Sequence, residues 1–245
     1  MLGLSLQPAD RTQITTPPGE VATVTSTEGN TYEGSLVDGL PSGRGKMTRS
    51  MGITYEGEYH AGMRHGLGKF VAPECVYEGQ YQRNRRHGKG NIVWNDGRSY
   101  DGDWEDDQRH GLGCFTDSAG NVYEGGFVRD ALSGHGVTKR VDGGSYEGEF
   151  LNGDRHGYGQ FTGKDGDGTF VYEGNYFENK RHGAGKMTRA DGRVIDSTWE
   201  HGTEVFDEAP EQATLMRTAT AVGQTPTAEL VHQTSALQSL TVKAP

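Results

Sequence analysis

The chain has 245 residues, of which only 32% are apolar while 39 are Gly, and its formal charge is −10. So little apolar content argues against a single large core, and so much Gly points to tight turns and close backbone contacts. The acidic balance argues against a phosphate-dominated nucleic-acid binder and against a simple electrostatic hold on anionic lipid.

Residues 1 to about 20 are polar and close on Pro17-Pro18, the pattern of a flexible leader. Met1-Leu2-Gly3-Leu4-Ser5-Leu6 lacks the basic and apolar regions of a signal peptide, and Leu2 rules out N-myristoylation. The β-prone run Val21-Ala22-Thr23-Val24-Thr25 is expected to add a covering strand. Residues 1–28 are therefore read as a leader with a capping strand.

From there a tripeptide, Tyr-Glu-Gly or Tyr-Asp-Gly, recurs at Tyr32, Tyr55, Tyr77, Tyr100, Tyr123, Tyr146 and Tyr172, in steps of 23, 22, 23, 23, 23 and 26 residues. One further step of 23 reaches a degenerate copy at Ile195. With Tyr as position zero, plus four is Leu36, Tyr59, Tyr81, Trp104, Phe127, Phe150, Tyr176 and Trp199. Plus seven is always Gly, Asn or Asp, residues that tolerate the positive φ of a hairpin turn. Gly stands at plus eleven and plus thirteen of each full copy, and plus fifteen is mostly apolar, as in Met47, Phe70 and Ile92.

The period of two on either side of the turn predicts two antiparallel strands per copy, with one aromatic face and one wetter face. The glycines are expected to let neighbouring rings lie flat on bare backbone. A lone hairpin is marginal, but stacked hairpins are stabilised by their neighbours. Residues 29–202 are thus predicted to form an all-β, elongated single-layer array of seven to eight stacked antiparallel β-hairpins.

Tyr-Glu-Gly-Glu-Tyr-x-x-Gly-x-x-His-Gly-x-Gly, from Tyr55 to Gly68, resembles the MORN motif. The resemblance implies an elongated β-rod that often self-associates, and roles in assembling cytoskeletal, ciliary or membrane-apposed complexes. It implies a non-enzymatic protein without cofactors, catalysis in the family residing in attached domains. The cytoplasm or cytoskeleton, with the cilium or flagellum as a finer placement, is the location it implies. Partners are expected to be other proteins of a larger assembly, with a homodimer through the array ends as one form. Residues 203–245 are read as a C-terminal tail. In it Asp207-Glu208-Ala209-Pro210 is similar to the segment after the last repeat in some small stand-alone members of sperm and cilia, and Leu230, Leu237 and Leu240 share a weak helical register.

Two further columns carry candidate chemistry. Plus nine holds Arg64, Arg86, Arg109, Arg155 and Arg181, and plus ten holds His65, His87, His110, His156 and His182. Together with Trp199 these residues form the candidate interaction surface. Equivalent histidines in successive hairpins lie two strands apart, about 9–10 Å, too far to share a zinc ion. The arginines, beside an acidic residue at plus one of every copy, read either as an anion stripe for phosphoinositide headgroups or as register-holding ion pairs, and local neutralisation favours the second. Gly-x-Gly here lies within a strand pattern, without the helix that a phosphate-cradling loop requires. Cys75 and Cys114 show no Cys-x-x-Cys pairing and are expected as reduced thiols. No Ser or Cys recurs in partnership with His, so no nucleophile is assigned.

Overall fold

A computed structural model of the chain describes residues 15–17 and 20–205. The rest of the leader and the tail beyond Val205, including the Leu230, Leu237 and Leu240 register and Asp207–Pro210, lie outside the described residues.

Strand β1 (Ala22–Thr25) precedes hairpin 1, made of β2 (Thr31–Val37) and β3 (Leu40–Thr48). Hairpin 2 is β4 (Thr54–His60) and β5 (Met63–Val71), hairpin 3 is β6 (Cys75–Gln82) and β7 (Arg85–Trp94), and hairpin 4 is β8 (Ser99–Glu105) and β9 (Gln108–Thr116). Hairpin 5 is β10 (Val122–Val128) and β11 (Ala131–Lys139), hairpin 6 is β12 (Ser145–Leu151) and β13 (Asp154–Asp165), and hairpin 7 is β14 (Gly168–Phe177) and β15 (Lys180–Arg189). An eighth, shorter hairpin joins β16 (Val194–Glu200) to β17 (Thr203–Val205). Among the described residues the only helical element is a 3-10 turn at Ser50–Gly52. All seventeen strands form one open sheet in which each pairs antiparallel with its neighbours in the chain.

Each hairpin closes on two residues with positive φ, such as Arg83 (50°) and Asn84 (73°), or Asp106 (48°) and Asp107 (71°). Two successive left-handed residues match the right-handed twist of the strands they join. The sequence marks the second of these residues but not the first, which is Ala61, Arg129 or Glu178 elsewhere.

The aromatic columns form the core. Tyr32, Tyr77, Tyr100, Tyr146 and Tyr172 are at most 1% exposed, and every plus-four residue from Leu36 to Tyr176 is buried. From Tyr55 to Tyr172 each Tyr packs edge-on against plus four of its own hairpin and plus four of the next, and Tyr32 packs so against Tyr59 of the next. Tyr100, for example, meets Trp104 at 5.2 Å between ring centroids and Phe127 at 5.1 Å. The zigzag continues to Tyr172 against Trp199 at 6.0 Å. T-shaped pairs add about 0.5–1.5 kcal/mol each beyond area burial, so a continuous ladder ties every hairpin to both neighbours.

The glycines under this ladder divide into two jobs. At plus two and plus thirteen they give each ring bare backbone to lie on: a Cβ on Gly102 would stand 2.6 Å from both Tyr100 Oη and Gly113 Cα. The ring then reaches along its strand, and the Tyr100 hydroxyl donates to the Asp103 carbonyl at 2.8 Å. Plus eleven differs from the expectation. Gly66, Gly88, Gly111 and their equivalents have φ near +60° at a register shift, where Gly57 faces Gly68 but Glu58 faces His65. Glycine is needed there for a left-handed bulge rather than to receive a ring.

Candidate interaction surface

The plus-nine and plus-ten columns are adjacent in sequence and land on opposite faces of the sheet. The arginines stay with the rings. Arg86 stacks over Trp104 with its guanidinium carbon 4.1 Å from the centroid, and Arg181 lies 4.2 Å from Tyr172 and 4.7 Å from Trp199. Arg64, Arg86, Arg109 and Arg155 also reach into the next turn. Arg86 donates through Nε to Asp107 Oδ1 at 3.1 Å and through Nη2 to the Asp107 carbonyl at 2.8 Å, while its backbone N–H donates to the same Oδ1 at 2.9 Å. Arg109 does the same with Asp130. Arg64 and Arg155 use Asn84 and Asn179. The Asp107 amide returns a bond to the Arg86 carbonyl at 3.0 Å. These groups therefore clamp one hairpin to the next.

That arrangement corrects the expected pairing of this row. The partners of the arginines are the plus-seven turn residues of the following hairpin, not the plus-one carboxylates. The plus-one row stands on the other face and meets lysines instead, as in Glu78 with Lys69 at 3.4 Å and Glu173 with Lys186 at 3.7 Å. Such exposed pairs contribute little, about 0–1 kcal/mol each.

The histidines share this outer face. His65 is exposed, and His87, His110, His156 and His182 are half-buried. His110 Nδ1 lies 3.2 Å from Glu105, close enough to attract but without hydrogen-bond geometry. His182 packs against His201 at 5.1 Å and Phe177 at 5.8 Å. Among the described residues no group of three or more His, Cys, Asp or Glu is placed to hold a metal ion. Cys75 and Cys114 are unpaired and half-buried, and burial raises both thiol pKa values.

Residues that the columns did not single out also shape the outer face. Leu67, Leu112 and Tyr158, all at plus twelve, are 56%, 67% and 61% exposed. Their signal in the sequence was an apolar residue between two glycines, which the Gly-x-Gly pattern hides.

The two ends differ. At the N-terminal end β1 pairs with Thr31–Gly34 of β2, and farther along the same edge the Thr16 amide donates to the Leu36 carbonyl at 3.0 Å and the Leu36 amide to Thr16 Oγ1 at 2.9 Å. At the C-terminal end β17 gives the degenerate copy at Ile195 a short second strand, which pairs only with Thr198–Glu200. Trp199 is partly buried there, and its indole N–H donates to Ser197 Oγ at 2.9 Å. Ile195 and Val205 are about 40% exposed.

The sequence profile of the MORN repeat matches residues 32–54, 55–74, 77–97, 100–122, 123–145, 146–168 and 172–192. No curated protein matches the chain. Among solved structures, the chain is similar to the G-box domain of the microcephaly protein CPAP, with 13% identity over 74% of this chain and 100% of that one, at a TM-score of 0.38. It is also similar to the TCP domain of Drosophila melanogaster SAS-4 (dCPAP), solved with a proline-rich motif of Ana2 (dSTIL), with 10% identity over 76% of this chain and 97% of that one, again at 0.38.

Proposed function

The chain belongs to the MORN-repeat family, and from that premise we propose that it is a non-enzymatic scaffold that binds other proteins along the array of residues 29–202, within a cytoskeletal assembly such as a cilium or flagellum. The observation that supports this most is the division of labour between faces. The aromatic face is committed to holding hairpins together, while the outer face repeats a pattern of carboxylates, histidines and exposed apolar side chains along one continuous sheet. A repeating surface of this kind suits several partners, or one long partner, better than a single small molecule. Residues 1–28 and 203–245 flank the array, and self-association through the array ends is part of the proposal.

Cross-linking in cells followed by fractionation tests it. The chain is expected in the detergent-resistant cytoskeletal fraction, with cross-links to partner proteins from several hairpins. Recovery only in the soluble fraction, without cross-linked partners, overturns the reading. The alternative of a phosphoinositide adaptor through the Arg–His stripe has less support, because those guanidinium groups are already engaged with rings and turns. Salt-sensitive flotation with phosphoinositide vesicles would favour it instead.

A further inference from the structure

Four hairpins close the notch to their successor with the same device, an arginine at plus nine bonded to Asn or Asp at plus seven of the next turn. Three hairpins depart from it. In hairpin 7 Arg181 faces Gly202 and its guanidinium lies over Tyr172 and Trp199 instead. Hairpin 5 has Leu132 in the arginine position, and this side chain packs against the core. Hairpin 1 has Pro41, and the turn it faces carries Gly62, which has no side chain to return a bond. Only the backbone contact survives there, the Gly62 amide donating to the Pro41 carbonyl at 2.9 Å.

Where the clamp is missing, the aromatic face opens into a cavity of about 400 Å³ whose wall includes Pro41, Met47, Tyr59 and Phe70, together with Arg49 and Arg64. That volume suits a bulky side chain. Arg86 and Arg109 are neutralised by Asp107 and Asp130. The turn partner of Arg64 is the neutral Asn84, and Arg49 forms no ion pair among the described residues. The cavity therefore combines an apolar wall with two uncompensated guanidinium groups, in a chain that is otherwise strongly acidic.

We infer that this cavity docks a segment of a partner protein in which a bulky apolar side chain stands beside carboxylates. The side chain replaces the missing clamp against Met47 and Phe70, and the carboxylates meet Arg49 in charge-assisted hydrogen bonds, while Arg64, held on the Asn84 carbonyl and the Tyr81 ring, adds its unneutralised charge. The inference rests on the scaffold reading and narrows it to one site and one chemistry of partner.

The test is selection of random peptides displayed against the full-length chain, with the double variant P41R/G62N as counter-target. That variant installs the pair found at Arg64 and Asn84. Asn84 itself holds φ of 73° in the same turn position where Gly62 has 77°, and a Cβ at Gly62 would meet only the Leu40 side chain, nearest at Cδ2, 3.4 Å away. It is expected to melt at or above the parent temperature, so loss of binding is not loss of fold. The expected consensus is Phe, Trp or Leu next to Asp or Glu. Binding followed by fluorescence anisotropy should weaken about tenfold or more on P41R/G62N and on Arg49→Glu, the latter equivalent to roughly 1.4 kcal/mol. No consensus, a basic consensus, equal binding by P41R/G62N, or displacement of the peptide by anionic vesicles overturns the inference. A chain that fails this selection yet cross-links to proteins through its outer face leaves the scaffold reading standing.

Discussion

Replacing Gly113 with Ala tests whether bare backbone under the tyrosine ring is what builds the array. A Cβ at Gly113 would lie 2.5 Å from both Cε2 and Oη of Tyr100, about 1 Å inside contact distance, so the ring must move. Moving it disturbs the edge-on contacts to Trp104 and Phe127 and the 2.8 Å hydrogen bond to the Asp103 carbonyl. Two ring pairs at about 0.5–1.5 kcal/mol each, one hydrogen bond at about 1 and overpacking strain of about 1–3 place the cost, with partial relief by relaxation, at about 3–5 kcal/mol. Urea titration followed by circular dichroism measures it, and hydrogen exchange locates the loss at hairpins 4 and 5. The control is Gly113→Ala in a Tyr100→Leu background, where most of the clash is gone and the extra methyl should cost about 1 kcal/mol, giving a coupling energy of about 2–4 kcal/mol. Equal costs in the two backgrounds would refute the ring-on-glycine account.

Trp104→Ala should cost about 3–5 kcal/mol, because the indole is buried between two tyrosines and donates to the Gly90 carbonyl at 2.9 Å; His87→Ala should cost below about 1 kcal/mol. Equal losses in denaturant titrations would mean the faces are misassigned. Burial pushes the phenol pKa up to about 12 at Tyr32, Tyr123, Tyr146 and Tyr172, against an ordinary value near 10. The unfolded chain therefore ionises first, so this contribution is whole below pH 10 and is lost as pH rises from 10 toward 12. Phenolate absorbance should rise together with loss of the β signal; ordinary titration of these residues near pH 10 in an intact sheet would contradict it. Light scattering should show self-association of the full-length chain that Trp199→Glu weakens, tested also in a chain truncated after Asp207. Monomers throughout, with unchanged stability, would remove the C-terminal edge as an assembly surface.

The strands and their core were legible because the residues that build them repeat. Tyr at zero and the apolar residue at plus four recur with a spacing that stacked hairpins satisfy, and the structure buries both columns through Tyr176. The stripe of Arg64–His65 and its equivalents was harder to read. Adjacent residues on a strand point to opposite faces, so a pair that looks like one stripe in sequence becomes two rows separated by the sheet. The role of plus eleven depended on register. Gly57 facing Gly68 and Glu58 facing His65 leave Gly66 and Leu67 as a bulge, which shows only when turn and ladder are aligned together. The partner of plus nine lies in the next repeat, so columns read one at a time do not reveal it.

Read as pairs across repeats, the same columns show where the array keeps its rule and where it departs. Arg at plus nine meets Asn or Asp at the following plus seven in hairpins 2, 3, 4 and 6, while Pro41 and Leu132 both meet Gly, at Gly62 and Gly153. The substitutions come in matched sets because an Asn or Asp side chain there has no guanidinium to meet once the arginine is gone, and at Pro41 no backbone N–H either. Hairpin 7 breaks the match, since Arg181 faces Gly202, and its guanidinium instead lies over Tyr172 and Trp199. Leu132 closes its notch with apolar volume, Arg181 with two rings, and Pro41 closes nothing. Of the three departures, the one in hairpin 1 alone leaves space and unneutralised charge together, so the point at which the repeat is least self-sufficient is also the point best suited to receive another chain.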